Sequence, residues 1–123
     1  MASTTPRFAT TPENKDNTGR VITYDFQTPA HAATLAVAPK YFDTTVKLAE
    51  LTGAVTINAT TTNAYAGDIL KFLFIADGTN RVVTFGTNMA STGTLTVTAS
   101  KKATASFIFN GTTYVESGRA IEA

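Results

Sequence analysis

From Val21 onward, apolar and polar residues alternate in one short stretch after another, the period of two that puts every second side chain on one face of a β-strand. VITYDFQ (21–27) sets Ile22, Tyr24 and Phe26 against Thr23 and Asp25 and predicts a half-buried strand. AVTIN (54–58) alternates through Val55 and Ile57, and TLTVTA (94–99) opposes Leu95, Val97 and Ala99 to three threonines. TTVKLAEL (44–51) alternates Val46 and Leu48 against Lys47 and Ala49, although Leu48 and Leu51 also suit a helix. The alanine-rich segment 28–42, between Pro29 and Pro39, admits either a short helical turn or a strand over Thr34–Val37.

Residues 67–85, GDILKFLFIADGTNRVVTF, break the alternation with an apolar run from Ile69 to Ala76. The run is short for a helix and rich in Phe and Ile, so it predicts a strand covered on both faces. Asp77-Gly78 then reads as a hairpin turn, because glycine tolerates the positive φ that primed turns need, and RVVTF (81–85) reads as the partner strand. ATASFIFNGTTYVE (103–116) repeats the logic, with its turn at Asn110-Gly111. The resulting expectation is an all-β protein of about seven to nine short strands, an antiparallel β-sandwich or jelly-roll-like barrel. It occupies residues 21–123 and is preceded by an extended polar arm, residues 1–20.

Composition sharpens this picture. A chain of 123 residues suits one domain of ordinary size, and 43% of it is hydrophobic while only 15% is charged. About one residue in five is threonine, which favours strands and keeps a solvent face polar without charge. The formal net charge is +1 with the basic residues scattered, so the basic stripe of a nucleic-acid binder is missing from the sequence. There is no cysteine, no apolar stretch near 18 residues and no hydrophobic signal-peptide core, so neither a disulfide framework nor a membrane span is expected.

Candidate chemistry is sparse. His31 has no second His or Cys near it and no G-x-S-x-G context, and it reads as a loop residue. Asp25, Asp43, Asp68 and Asp77 are the carboxylates that a fold might pair for acid-base work. Asp68 and Asp77, however, sit beside glycines at strand ends, where aspartate turns the backbone. No phosphate-loop, dinucleotide or EF-hand pattern is present. The reading is non-enzymatic, with no catalytic, metal or cofactor-binding residue and no cofactor. Contact surfaces remain, and the arm contributes Phe8 as an apolar anchor, flanked by Pro6 and Arg7.

The block from Gly67 to Glu116 resembles a β-domain that recurs in structural proteins of tailed-bacteriophage virions, including head decoration proteins, head fibres and tail appendages. The likeness rests on Gly-Asp opening a long apolar strand, the VTFG return (83–86), the Thr-alternating strand, and the apolar strand ending in Asn-Gly-Thr before an aromatic. It covers about 50 of the 123 residues. It implies a virion component, commonly trimeric, assembled in a bacterial cytoplasm. Its partner would be the major capsid protein or another virion protein, with neither nucleic acid nor membrane involved. With no heptads or fibre repeats, a capsid decoration protein is expected, binding the assembled head through Pro6, Arg7 and Phe8 of its arm. The alternative is a fibre or appendage domain in which Tyr24, Tyr41, Tyr65 or Tyr114 stacks on a receptor sugar.

Overall fold

The computed structural model describes residues 24–123, all of them strand or connection, with no helix among the described residues. The arm residues Pro6, Arg7 and Phe8 lie outside the described residues. Ten strands follow in order: β1 (Tyr24–Gln27), β2 (Thr34–Val37), β3 (Asp43–Lys47), β4 (Val55–Ala59), β5 (Ile69–Ile75), β6 (Arg81–Phe85), β7 (Met89–Ala90), β8 (Leu95–Val97), β9 (Lys102–Phe109) and β10 (Tyr114–Ile121). They form a six-stranded sheet in the order β1-β3-β5-β9-β10-β7 and a four-stranded sheet in the order β2-β4-β6-β8.

The all-β expectation holds, but the antiparallel sandwich or jelly roll does not. Consecutive strands do not pair with each other through the first half of the chain; they alternate between the two sheets. β1, β3 and β5 pair in parallel on one side, and β2, β4 and β6 pair in parallel on the other. The chain therefore winds as three coils of a β-solenoid, and only β8, β9 and β10 close it with antiparallel partners. The coils differ in length, with 19 residues between the starts of β1 and β3 and 26 between those of β3 and β5. Unequal coils leave no fixed sequence period, the usual mark of a solenoid.

The corner after β5 shows why the first hairpin fails. Asp77 and Gly78 carry the chain from the six-stranded sheet to the four-stranded one, and Gly78 does not take the positive φ of a primed turn. Three local bonds hold the corner. The Asp77 carboxylate accepts the Thr79 N–H at 3.2 Å and the Arg81 guanidinium at 2.8 and 2.7 Å. Coil-to-coil backbone bonds then stack it: Leu51 N–H donates to Ile75 carbonyl oxygen at 2.8 Å, and Asp77 N–H donates to that of Leu51 at 3.1 Å. The second predicted hairpin is real. β9 and β10 pair from Phe109–Tyr114 onward, Gly111 takes φ 103°, and Asn110 Oδ1 accepts the N–H groups of Thr112 and Thr113, both at 2.9 Å.

The core lies between the inward faces. Leu70, Phe72 and Phe74 of β5 meet Val83 and Phe85 of β6, Ile57 of β4, Leu95 and Val97 of β8, and Phe107 of β9, all buried. Phe72, Phe85 and Phe107 form an interlocked ring cluster, the Phe85–Phe107 centroids 4.9 Å apart and tilted by 59°, a favourable aromatic geometry. Thr34–Val37 is a strand, not a helical turn, and Leu48 and Leu51 are corner residues buried after β3 ends. Two faces differ from expectation. β5 is covered on one side only, and the aromatic side of β1 points away from the core.

Candidate interaction surface

The outward face of the six-stranded sheet is built by register. Side chains that are partners across a ladder share a face. One row therefore runs across the sheet as Tyr24, Asp43, Ile69, Ile108, Val115 and Ala90. A second row runs Phe26, Thr45, Lys71, Ser106 and Gly118, and a third runs Lys47, Leu73, Thr104 and Ala120. Large apolar side chains on these rows stand in solvent: Tyr24 is 58% exposed, Phe26 49%, Ile108 45%, Val115 39% and Leu73 36%. The Tyr24 and Phe26 rings stack at 6.5 Å, and Tyr24 reaches over β3 to hydrogen-bond Thr45 Oγ1 at 3.4 Å. At the centre of the face Lys71 Nζ lies 3.4 Å from Asp43 Oδ1, so those two charges neutralise each other within the chain.

The other outward face has the opposite character. Thr34, Thr56 and Thr84 align across β2, β4 and β6, and Thr96 of β8 stands beside Val82. Threonine keeps that side wet. One molecule thus carries a threonine-rich sheet face, on which Val82 is also 39% exposed, and a mixed face on which Tyr24, Phe26, Leu73, Ile108 and Val115 stand among Asp43, Lys47, Lys71 and smaller polar residues.

The sequence-predicted residues are dispersed. Asp68 and Asp77 lie just beyond opposite ends of β5, about 30 Å apart at ~3.3 Å per residue. Asp68 is buried and accepts the Tyr65 N–H at 3.0 Å. Asp77 is the Arg81-bound corner already described, and the Arg81 guanidinium holds its carboxyl below the ordinary value. Asp25 faces the side of β1 away from Tyr24 and accepts the Gln27 amide at 2.7 Å, whereas Asp43 faces outward. His31 sits in the corner between β1 and β2, its ring against Gly53 of the next coil. No group of three His, Cys, Asp or Glu side chains with metal-binding placement occurs among the described residues.

Of the four tyrosines, Tyr114 is fully buried against Phe109, with centroids 4.9 Å apart, and Tyr41 is half-buried. Tyr24 and Tyr65 are exposed, as is Phe42 immediately before β3. Phe26, Ile108 and Val115 were not legible as surface residues, because alternation assigns a face to each side chain but does not say which face meets the core.

A further built feature lies at the β10 edge. Glu116 and Arg119 turn inward on either side of a bulge, and Arg119 Nε donates to Glu116 Oε2 at 2.6 Å. Glu116 also accepts the Thr92 N–H at 3.0 Å, and Arg119 donates to the carbonyl oxygens of Thr94 and Gly93, both at 2.9 Å. The pair clips β10 to the connection before β8. The Arg119 guanidinium holds the Glu116 carboxyl below its usual value. No protein-family model matches this chain, and no curated protein matches it either.

Proposed function

We propose that the protein is a non-enzymatic structural component of a tailed-phage virion, a capsid decoration protein that binds the assembled head through residues 1–20 and stabilises it. The reading rests on the resemblance carried by residues 67–116 and on one structural observation, the contrast between the two outward sheet faces. Five large apolar side chains exposed on one sheet face of a weakly charged chain support work done by contact area. A ligand that binds the assembled shell and not its free parts stabilises the shell by mass action, and many copies add avidity.

The test is co-sedimentation with purified heads of the particle that carries this chain. Full-length protein pellets with heads, and protein lacking residues 1–20 stays in the supernatant while keeping its melting temperature. Wild-type occupancy by the truncated protein refutes the arm's role. The second reading, a fibre or appendage domain that binds a receptor sugar, is favoured by the stacked, exposed Tyr24 and Phe26 with Phe42 and Tyr65 also in solvent. Sugars bind on such ring faces. Binding of the protein to host cells, lost in Tyr24→Ala and retained after deletion of residues 1–20, supports that reading over decoration.

A further inference from the structure

We propose that Asn110, at the tip of the β9–β10 hairpin, is a self-modification site: its side-chain amide is lost through ring closure with the Gly111 nitrogen, leaving aspartate or isoaspartate. The inference goes beyond the virion reading and does not depend on it. Its support is the state of the three groups that the reaction uses. The attacking group is the nitrogen of Gly111, an exposed residue whose N–H makes no hydrogen bond among the described residues. The carbon attacked is Asn110 Cγ, whose Oδ1 accepts the N–H groups of Thr112 and Thr113, both at 2.9 Å. Those two donors polarise the carbonyl and lie where the negative charge of a tetrahedral intermediate collects. The leaving group is Asn110 Nδ2, which bonds to no described residue.

The only other reactants are hydroxide and water. Hydroxide takes the Gly111 amide proton, the nitrogen bonds to Cγ, and the Cγ–Nδ2 bond breaks, with Nδ2 leaving as ammonia after taking a proton from water. Water then opens the cyclic imide at one of its two carbonyl carbons. Opening at Cγ gives isoaspartate or aspartate according to which C–N bond is cut: the bond to Cγ yields aspartate, and the bond to the backbone carbonyl carbon yields isoaspartate. Either product carries a negative charge where asparagine had none, so the formal net charge falls from +1 by one unit, to zero. The two differ in shape. Aspartate keeps an oxygen for the Thr112 and Thr113 N–H groups, whereas isoaspartate adds a methylene to the backbone between Phe109 and Tyr114, whose rings sit 4.9 Å apart.

The sequence marks two such places, because Asp77-Gly78 can close the same ring by losing water. The structure separates them. Arg81 takes both Asp77 carboxylate oxygens, at 2.8 and 2.7 Å, and holds the group ionised, and an ionised carboxylate has no good leaving group. The other described asparagines, Asn58, Asn63, Asn80 and Asn88, are each followed by a residue with a Cβ, which crowds the nitrogen that must approach Cγ. Asn88 also commits its Nδ2 to the Ala59 carbonyl oxygen at 2.8 Å.

The test ages the full-length protein in mildly alkaline buffer and follows peptide masses and isoaspartate content with time. The peptide holding Asn110 should gain the single dalton that separates –OH from –NH2, about tenfold or more faster than those holding Asn58, Asn63, Asn80 or Asn88. Aged protein should migrate with Asn110→Asp on isoelectric focusing, while Asn110→Gln, which would have to close a larger ring, should hold its charge. Wild-type Asp77 should form no isoaspartate, and Arg81→Gln should begin to form it there. Circular dichroism checks that Arg81→Gln folds, and the Asn110 measurements decide the question by themselves if it does not. An Asn110 that keeps its mass while another described asparagine converts overturns the inference. So does wild-type isoaspartate at Asp77 arising as fast as at Asn110, or a folded Arg81→Gln in which Asp77 stays intact.

Discussion

Gly86 offers the sharpest test of the solenoid. It follows Phe85, the last residue of β6, and donates its N–H to Ile57 carbonyl oxygen at 2.7 Å, which holds it against β4 of the coil before. A Cβ at this position would stand 2.2 Å from Asn58 Oδ1 and 3.3 Å from Thr56 Cγ2. Asn58 Oδ1 has work of its own, accepting the Thr87 N–H at 2.7 Å. Gly86→Ala must therefore push the amide aside, with an overpacking cost of about 1–3 kcal/mol, and break that hydrogen bond, worth about 1 kcal/mol net. For a domain of this size each kcal/mol lowers Tm by about 4–8 °C. Asn58→Ala alone loses only the hydrogen bond. The double variant has no oxygen left to collide with, so its destabilisation should fall short of the sum of the singles by about 1 kcal/mol or more. Urea denaturation of the four proteins measures this coupling. Strict additivity would mean that β4 and β6 are not neighbours, and the parallel stacking would be refuted.

Two glycines separate the real hairpin from the corner: Gly111→Ala, at φ 103°, should cost about 1–2 kcal/mol, while Gly78→Ala, with open space around its Cβ, should change Tm by no more than a few degrees. Phe107→Ala removes the centre of the ring cluster and should cost about 3–5 kcal/mol in chemical denaturation. Glu116→Ala strips the nearly enclosed partner from Arg119 and should cost about 1.5–3 kcal/mol, seen as faster hydrogen exchange of the Thr92 amide. Arg81 and Arg119 lower the carboxyl pKa values of Asp77 and Glu116 in the folded state. Their stabilisation is therefore complete above the unfolded carboxylate range near pH ~4 and is lost as pH falls through it toward the folded values. Tm of the wild type should drop in that acidic window, and Asp77→Asn/Glu116→Gln should flatten the drop.

Strand content was legible because alternation is a local property. β4, β8 and β9 fall within a residue or two of the segments that the pattern marks, and Asn110-Gly111 turns as its chemistry demands. Asn110 satisfies two N–H groups from within its own turn, so nothing distant needed to be known. Asp77-Gly78 looked equivalent and was not. Its carboxylate has a local partner in Arg81, and its backbone donates to Leu51 carbonyl oxygen and accepts from Ser100 N–H as the chain passes into the other sheet.

The dispersed aspartates show the same division at the level of chemistry. The roles of Asp68 and Asp77, each binding an N–H or guanidinium a few residues away, follow from their neighbours in sequence, whereas the pairing of Asp43 with Lys71 across β3 and β5, and the separation of the four in space, follow only from the coil. Periodicity alone makes this chain a set of short two-faced strands without specifying partners, because a strand's edge hydrogen bonds fit any other edge in register. Tertiary structure chose the partners. Burying Phe72, Phe85 and Phe107 together requires β5 and β9 on one side and β6 on the other. That choice sends Tyr24, Phe26, Leu73, Ile108 and Val115 outward, since each strand has two faces and the core takes only one.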